Sequence, residues 1–277
     1  MYYTCGVLHK YSSMAHIISF SNHKGGVGKS TSALNVGQLL AERGHRVLFI
    51  DGDPQTNLTQ SFHVPEGAGT LSMLLETDKA VLSELICPVG ERQWLLAGSK
   101  RLQLIDKMVG GTDGVEYRLR DALEGYATYC EQVRPELAFD YIIIDTPPSL
   151  GGVTFAALLA TDSVFIPVQP EYYGYSGLTE LLAACARVKR NANARLTVRG
   201  IFFTKYHSTY RKSLHHQYVE LIREDVAMAP LVMNVTIREN VKLGEAQALH
   251  VPMTEYAPHS NGAIDYNSLT DEILKRI

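Results

Sequence analysis

The stretch SNHKGGVGKST (21–31) decides how the chain is read, because it leaves the short apolar run HIISFS (16–21) and enters KSTSALNVGQLLAERG (29–44). The first segment has the length of a strand, and the second carries apolar residues at helical spacing until Gly44 closes it. A glycine-rich turn between a strand and a helix lets backbone N–H groups converge on an anion at the positive end of the helix dipole. Gly25, Gly26, Val27 and Gly28 would form that cradle, and Lys29 would neutralise the outer phosphates of a nucleotide. Ser30 has the hydroxyl that such loops present to Mg²⁺, and Thr31 can donate to the innermost phosphate. Two departures stand out: His23 occupies the place of the first glycine in GxxxxGK[ST], and a second lysine, Lys24, precedes the glycine pair.

Such turns also occur without a ligand, so the reading needs partners elsewhere in the chain. Strand-length runs at RVLFID (46–51), YIIIDTPPS (141–149), SVFIPV (163–168) and VRGIFFTKY (198–206) alternate with segments of helical period. The helical segments are TLSMLLE (70–76), VEYRLRDALEGYATYCEQV (115–133), residues 176–190 and the closing SLTDEILKRI. In the second of these, Leu119, Leu123, Tyr126 and Cys130 share one face. The alternation predicts an α/β fold, a P-loop NTPase domain with a mostly parallel central β-sheet flanked by α-helices. Ligands of an open parallel sheet bind at the carboxyl ends of its strands. Asp51 and Asp53 of IDGDPQ and Asp145 of IIIDTPP lie at such ends, so three carboxylates are expected beside the loop, where acids can hold Mg²⁺ through water and orient an attacking water.

Composition narrows the alternatives. The 277 residues, 45% hydrophobic, suffice for one large core, and a net charge of -3 does not mark the whole chain as a nucleic-acid binder. Cys5, Cys87, Cys130 and Cys185 form no CxxC pair, which points to reduced thiols rather than zinc or disulfides. No apolar run reaches membrane-span length, and residues 1–15 lack the features of a signal peptide, so a cytoplasmic protein is expected. Those residues show no period and are read as a leader, either a disordered tail or residues ahead of a start at Met14, leaving 16–277 as the ATPase domain.

KGGVGKST, FIDGDPQTNLT and DYIIIDTPPSLGG, together with EYRLRDALE, PVQPEYYGYSGLTELL, IRENVKLGEA and YAPHSNGAIDY, resemble the ParA branch of the ParA/MinD family, the deviant Walker A ATPases. The likeness runs from about His16 to the end, in the family's order, and His23 fits the family's pattern. The resemblance implies an ATPase with weak, partner-stimulated activity whose cofactors are ATP and Mg²⁺. It implies that Lys24 reaches across a homodimer to the other subunit's nucleotide, which makes charge compensation conditional on dimerisation. By the same likeness Lys29 and Ser30 bind phosphate and Mg²⁺, Asp53 positions the hydrolytic water, Asp145 holds Mg²⁺ through water, and Asp51 is a further acid on the magnesium side. The implied partners are a second copy, DNA of any sequence and a ParB-like centromere-binding or cargo-adaptor protein, with nucleoid association in the ATP state.

Between Ala186 and His216 the sequence has Arg187, Lys189, Arg190, Arg195, Arg199, Lys205, Arg211 and Lys212 and no acid. This is read as a solvated face or as a surface for DNA phosphates, with Arg238 and Lys242 as a second basic segment. No helix-turn-helix fits before His16, so base readout is not expected. The tyrosines of EYYGYSG (171–177) are read as packing or dimer-face residues, and His207, His215 and His216 as surface residues. A MinD-like membrane switch would need a basic amphipathic C-terminal helix, whereas Asp271 and Glu272 make SLTDEILKRI a docked helix. Electron transfer would need cluster cysteines, which IDTPPSLGGV lacks.

Overall fold

The computed structural model describes residues 15–108, 114–171, 174–211 and 213–277. Strands β1 (His16–Phe20), β2 (Val47–Asp51), β3 (Cys87–Gly90), β4 (Gln93–Leu96), β5 (Tyr141–Asp145), β6 (Ser163–Val168), β7 (Thr197–Thr204) and β8 (Val232–Ile237) form one sheet. Its order is β3-β4-β2-β5-β1-β6-β7-β8, and every pairing is parallel except that of β3 with β4 at the edge.

The central strands are covered on both faces, which explains their continuous apolar runs. Ile18, Phe20, Phe49 and Ile143 point to the side of helices Lys29–Glu42 and Asn261–Arg276. Ile17, Leu48, Ile50, Ile142 and Ile144 point to the side of helices Leu71–Glu76, Arg118–Gln132 and Gly152–Ala160. Leu119, Leu123 and Cys130 are buried there as the helical period predicts, with Tyr126 partly buried beside them.

The closing helix begins well before SLTDEILKRI, at Asn261, where Ser260 accepts from Ala263 N and caps it. Its apolar side is already occupied: Leu269 and Ile273 are completely buried, and the Tyr266 hydroxyl meets Ser32 Oγ at 3.1 Å on the helix that follows the loop. The helix is thus docked on the core, as its acids suggest. Among the described residues no helix is long and apolar enough to cross a membrane.

The β3–β4 hairpin, β8 and helix Ser213–Glu224 carry no strong signal in the sequence. β3 and β4 have four residues each, and Pro88 and Gly90 break the pattern of the first.

Candidate functional site: a phosphate loop over buried carboxylates

The loop leaves β1 and reaches the helix through Gly26 at φ 74° and Gly28 at φ 92°, left-handed conformations in which a Cβ would be strained. Two residues absent from the motif hold it. Asn22 donates from Nδ2 to the Pro167 carbonyl at 2.6 Å and accepts from Lys24 N at 2.9 Å. Thr204, at the end of β7, donates to the Val27 carbonyl at 2.8 Å. The neighbouring strands β6 and β7 therefore fix the loop, a support that sequence reasoning missed because Asn22 and Thr204 belong to no spacing rule.

The two lysines of the loop differ in setting. Lys29 is only 6% exposed, and its Nζ donates to the Lys24 carbonyl at 3.0 Å. Burial pulls its ammonium below the usual lysine range, while Asp145 and then Asp53 pull the other way. Lys24 is half-buried, and its Nζ is paired with Glu171.

Asp145 ends β5 directly beside Asp51 at the end of β2, the two being register partners. Asp145 is completely buried and neither carboxylate oxygen has a hydrogen-bond partner. Burial first, then the charge of Asp51, pushes its carboxyl well above the ordinary range. The Ser30 hydroxyl, near it but without good hydrogen-bond geometry, and Lys29 act in the opposite sense. A buried carboxylate without donors is costly unless a cation or proton compensates it. An unpartnered carboxylate with a serine hydroxyl nearby is a donor set that suits a hard, oxygen-seeking cation such as Mg²⁺.

Asp51, expected as a further acid on the magnesium side, lies beside Asp145 but has bonds of its own. Its Oδ2 accepts from Thr59 N at 2.8 Å and Thr59 Oγ1 at 2.6 Å, and its Oδ1 accepts from Asp53 N at 3.1 Å. The carboxylate thus organises the turn that carries Asp53. Burial still raises its pKa to about 6, against the lowering effect of the Thr59 bonds. Gly98 is part of this packing, since a Cβ there would lie 2.8 Å from Asp51 Cγ, and its N–H donates to Thr59 Oγ1 at 2.8 Å. Asp53 is also buried, with Oδ1 accepting from Gln55 N at 2.9 Å.

Beside the loop a cavity of about 260 Å³ is lined by Val27, Thr31, Thr204, Asn240 and Tyr266 among others. A larger cavity, about 570 Å³, lies between helices Leu71–Glu76, Leu82–Leu85 and Arg118–Gln132 and shares no residue with the loop or the three acids. Among the described residues no cluster of three or more His, Cys, Asp or Glu side chains has metal-binding spacing.

The residues expected to face DNA do not form one patch. Arg187, Lys189 and Arg190 sit in the last turns of helix Gly174–Asn191, at the amino edge of β7, and are exposed. Exposed Lys205 and Arg211 follow β7 at its carboxyl edge. Eight residues of strand separate the two groups, about 26 Å at roughly 3.3 Å per residue. Arg238, expected in the second basic segment, has its guanidinium bound by Asp265, at 2.6 Å from Nη2. Lys242 is paired with Glu245 at 2.8 Å and lies over the Tyr256 ring. Lys189 donates to Thr197 Oγ1 at 3.0 Å, and Arg187 stacks on Phe155.

Lys212, Tyr172, Tyr173, Cys5 and the leader up to Met14 lie outside the described residues. Tyr175 packs against the core and donates to Asp225 at 2.8 Å. His216 is corrected from a surface residue to a half-buried one, bonded to the Tyr206 hydroxyl at 2.9 Å and the Tyr210 carbonyl at 2.7 Å.

Comparison with known proteins joins this geometry to a family. A model of the AAA domain family matches residues 15–198. The chromosome partitioning protein ParA of Myxococcus xanthus is 36% identical over 96% of this chain and 90% of its own length. The chain belongs to the ParA family of P-loop ATPases. Another ParA-family relative, the sporulation initiation inhibitor protein Soj of Bacillus subtilis, is 35% identical over 94% of this chain and 98% of its own length. Cobyrinic acid a,c-diamide synthase from Mycobacterium smegmatis, solved with an ATP analog and magnesium, superposes with a TM-score of 0.77 at 28% identity, covering 95% of both chains. A plasmid partition protein from Borrelia burgdorferi shares the fold at TM-score 0.74 and 22% identity, covering 95% of this chain and all of that one.

Proposed function

We propose that this chain is an ATP-dependent dimerising switch: it pairs with a second copy when ATP is bound, binds DNA of any sequence in that state, and hydrolyses ATP to let go. A ParB-like centromere-binding or cargo-adaptor protein would couple the cycle to the positioning of a plasmid, chromosome or other cargo, with nucleoid association while ATP is bound. The observation that carries the reading is the difference in setting between two lysines on one loop, Lys29 buried beneath it and Lys24 half-exposed at its rim. The chromosome-partitioning names of its relatives support the biological setting.

The backbone of Gly25–Gly28 and the Lys29 ammonium would hold the triphosphate, with Thr31 on its inner end and the base directed toward the cavity beside Asn240. Ser30 and Asp145 would hold Mg²⁺, which supplies Lewis-acid neutralisation of the β and γ oxygens when bound. Asp53, kept in place by Gln55 N and by the Asp51–Thr59 bonds behind it, would orient a water in line with the γ phosphorus. The water oxygen would bond to phosphorus as the bridging oxygen leaves with ADP, and the proton the water sheds would pass to the released phosphate or to solvent. Lys24 would complete the charge around the other subunit's triphosphate, so both the dimer and its DNA affinity depend on ATP.

Fluorescence anisotropy with unrelated duplexes tests the reading. DNA should bind with ATP and Mg²⁺ and be released in ADP, with affinity falling steeply in salt. Binding that ignores the nucleotide, or ATP-dependent binding to anionic liposomes without DNA binding, would overturn it.

A further inference from the structure

Lys24 is held at three points in the isolated chain. Its N–H donates to Asn22 Oδ1 at 2.9 Å, its carbonyl accepts from Lys29 Nζ at 3.0 Å, and its ammonium is paired with Glu171 Oε2. Glu171 is itself oriented, because Gln169 Nε2 donates to its other oxygen. The cations around it fit a carboxylate kept charged: Lys24 foremost, then His215 and Lys205, hold its carboxyl below the usual range. The ion pair is only partly exposed, at 29% for the Lys24 side chain and 40% for Glu171.

We propose that Glu171 is a positioning residue, a latch that keeps Lys24 in cis on its own subunit and yields it only when a second, more highly charged anion competes for it. This rests on the reading that Lys24 acts in trans. The release has a trigger within the same loop. A phosphate bound in cis attracts Lys29 Nζ and so draws it off the Lys24 carbonyl, removing one of the three points that fix the Lys24 backbone. The partner's triphosphate then offers more charge than one carboxylate and takes the ammonium from Glu171. Dimerisation is thereby opposed until nucleotide is bound on both sides.

The size of the effect follows from the exposure of the pair. A partly exposed ion pair shifts an equilibrium by at most about fivefold, and each dimer releases two. Glu171→Gln, in an Asp53→Ala background that does not turn over, should therefore tighten the dimer dissociation constant in ATP and Mg²⁺ several-fold, up to about 25-fold as the two single-pair factors multiply, in sedimentation equilibrium. Glu171→Asp, which keeps the charge, should stay within about twofold of the parent. Glu171→Gln should not rescue dimerisation of Lys24→Ala. A second readout does not need a dimer: acetic anhydride labelling of Lys24, followed by mass spectrometry without nucleotide, should speed up about fivefold in Glu171→Gln. An unchanged or weaker dimer in Glu171→Gln, or unchanged Lys24 labelling, would overturn the latch alone. Failure of the Asp53→Ala parent to dimerise in ATP would overturn the proposed function, and the latch with it.

Discussion

At the carboxyl edge of the sheet, Asp51, Asp53, Asp145 and Lys29 arrive from the ends of three strands and are all buried. At the amino edge, Arg195 pairs with Asp162 and Glu124, and Arg46 lies over the Trp94 ring at 4.2 Å while donating to the Ala138 carbonyl. The amino-edge charges have their partners within the chain or stand in solvent. The carboxyl edge instead keeps a fully buried carboxylate, Asp145, with no hydrogen-bond partner. Charge that is already paired has little to gain from a ligand, whereas a buried unpaired group gains a great deal. The contrast favours the carboxyl edge as the place of the chemistry, and five variants test it in order of expected effect.

The largest effect should follow Lys29→Ala, which removes the buried cation facing Asp145 and Asp53. ATP affinity in isothermal titration should fall by two to three orders of magnitude, about 3–5 kcal/mol for breaking a buried charge interaction. Affinity within twofold of the parent would move the nucleotide elsewhere. Next, Asp53→Ala should keep ATP affinity but lower phosphate release by about a hundredfold, because the water loses its orienting acceptor. Normal turnover would instead assign that role to another acid.

A smaller, structural effect is expected for Thr59→Val, which strips Asp51 Oδ2 of its hydroxyl donor. Thermal unfolding should show a loss of about 1–3 kcal/mol, because the Gly98 N–H loses its acceptor while Asp51 Oδ2 keeps only the Thr59 N–H, together with slower hydrolysis as the Asp53 turn loosens. No change would mean that Asp51 does not depend on Thr59. The smallest effects separate the two edges as DNA contacts. Arg211→Glu, on the nucleotide's edge, should weaken ATP-dependent DNA binding several-fold and lower the salt slope by about 1.8 for two contacts in a dimer. Arg190→Glu, on the far edge, should stay within about twofold; the reverse order would put the DNA surface at the amino edge.

The same comparison shows what the sequence could disclose. The carboxyl edge was legible because its residues sit at strand ends, and the parallel-sheet rule converts strand ends into one crevice even for Asp51 and Asp145, which are far apart in the chain. The layout of the basic segment was not legible, for the converse reason. Arg190 and Arg211 are close in sequence, but β7 runs between them and carries them to opposite edges. Pairing was equally hidden: nothing local joins Arg238 to Asp265 or Lys24 to Glu171, and only the packing of the closing helix and of the segment after β6 brings them together. The role of Thr59 in holding Asp51 was illegible because a threonine eight residues beyond a strand end follows no rule of spacing.

The proposed switch requires that ATP, through Lys24, control whether two copies associate. Light scattering coupled to size exclusion, run on Asp53→Ala and on Lys24→Ala/Asp53→Ala with ATP and Mg²⁺, addresses it most directly. The first should run at twice the 30.7 kDa chain mass and the second at the single-chain mass. A dimer that persists without Lys24, or an Asp53→Ala protein that stays monomeric in ATP, would contradict it.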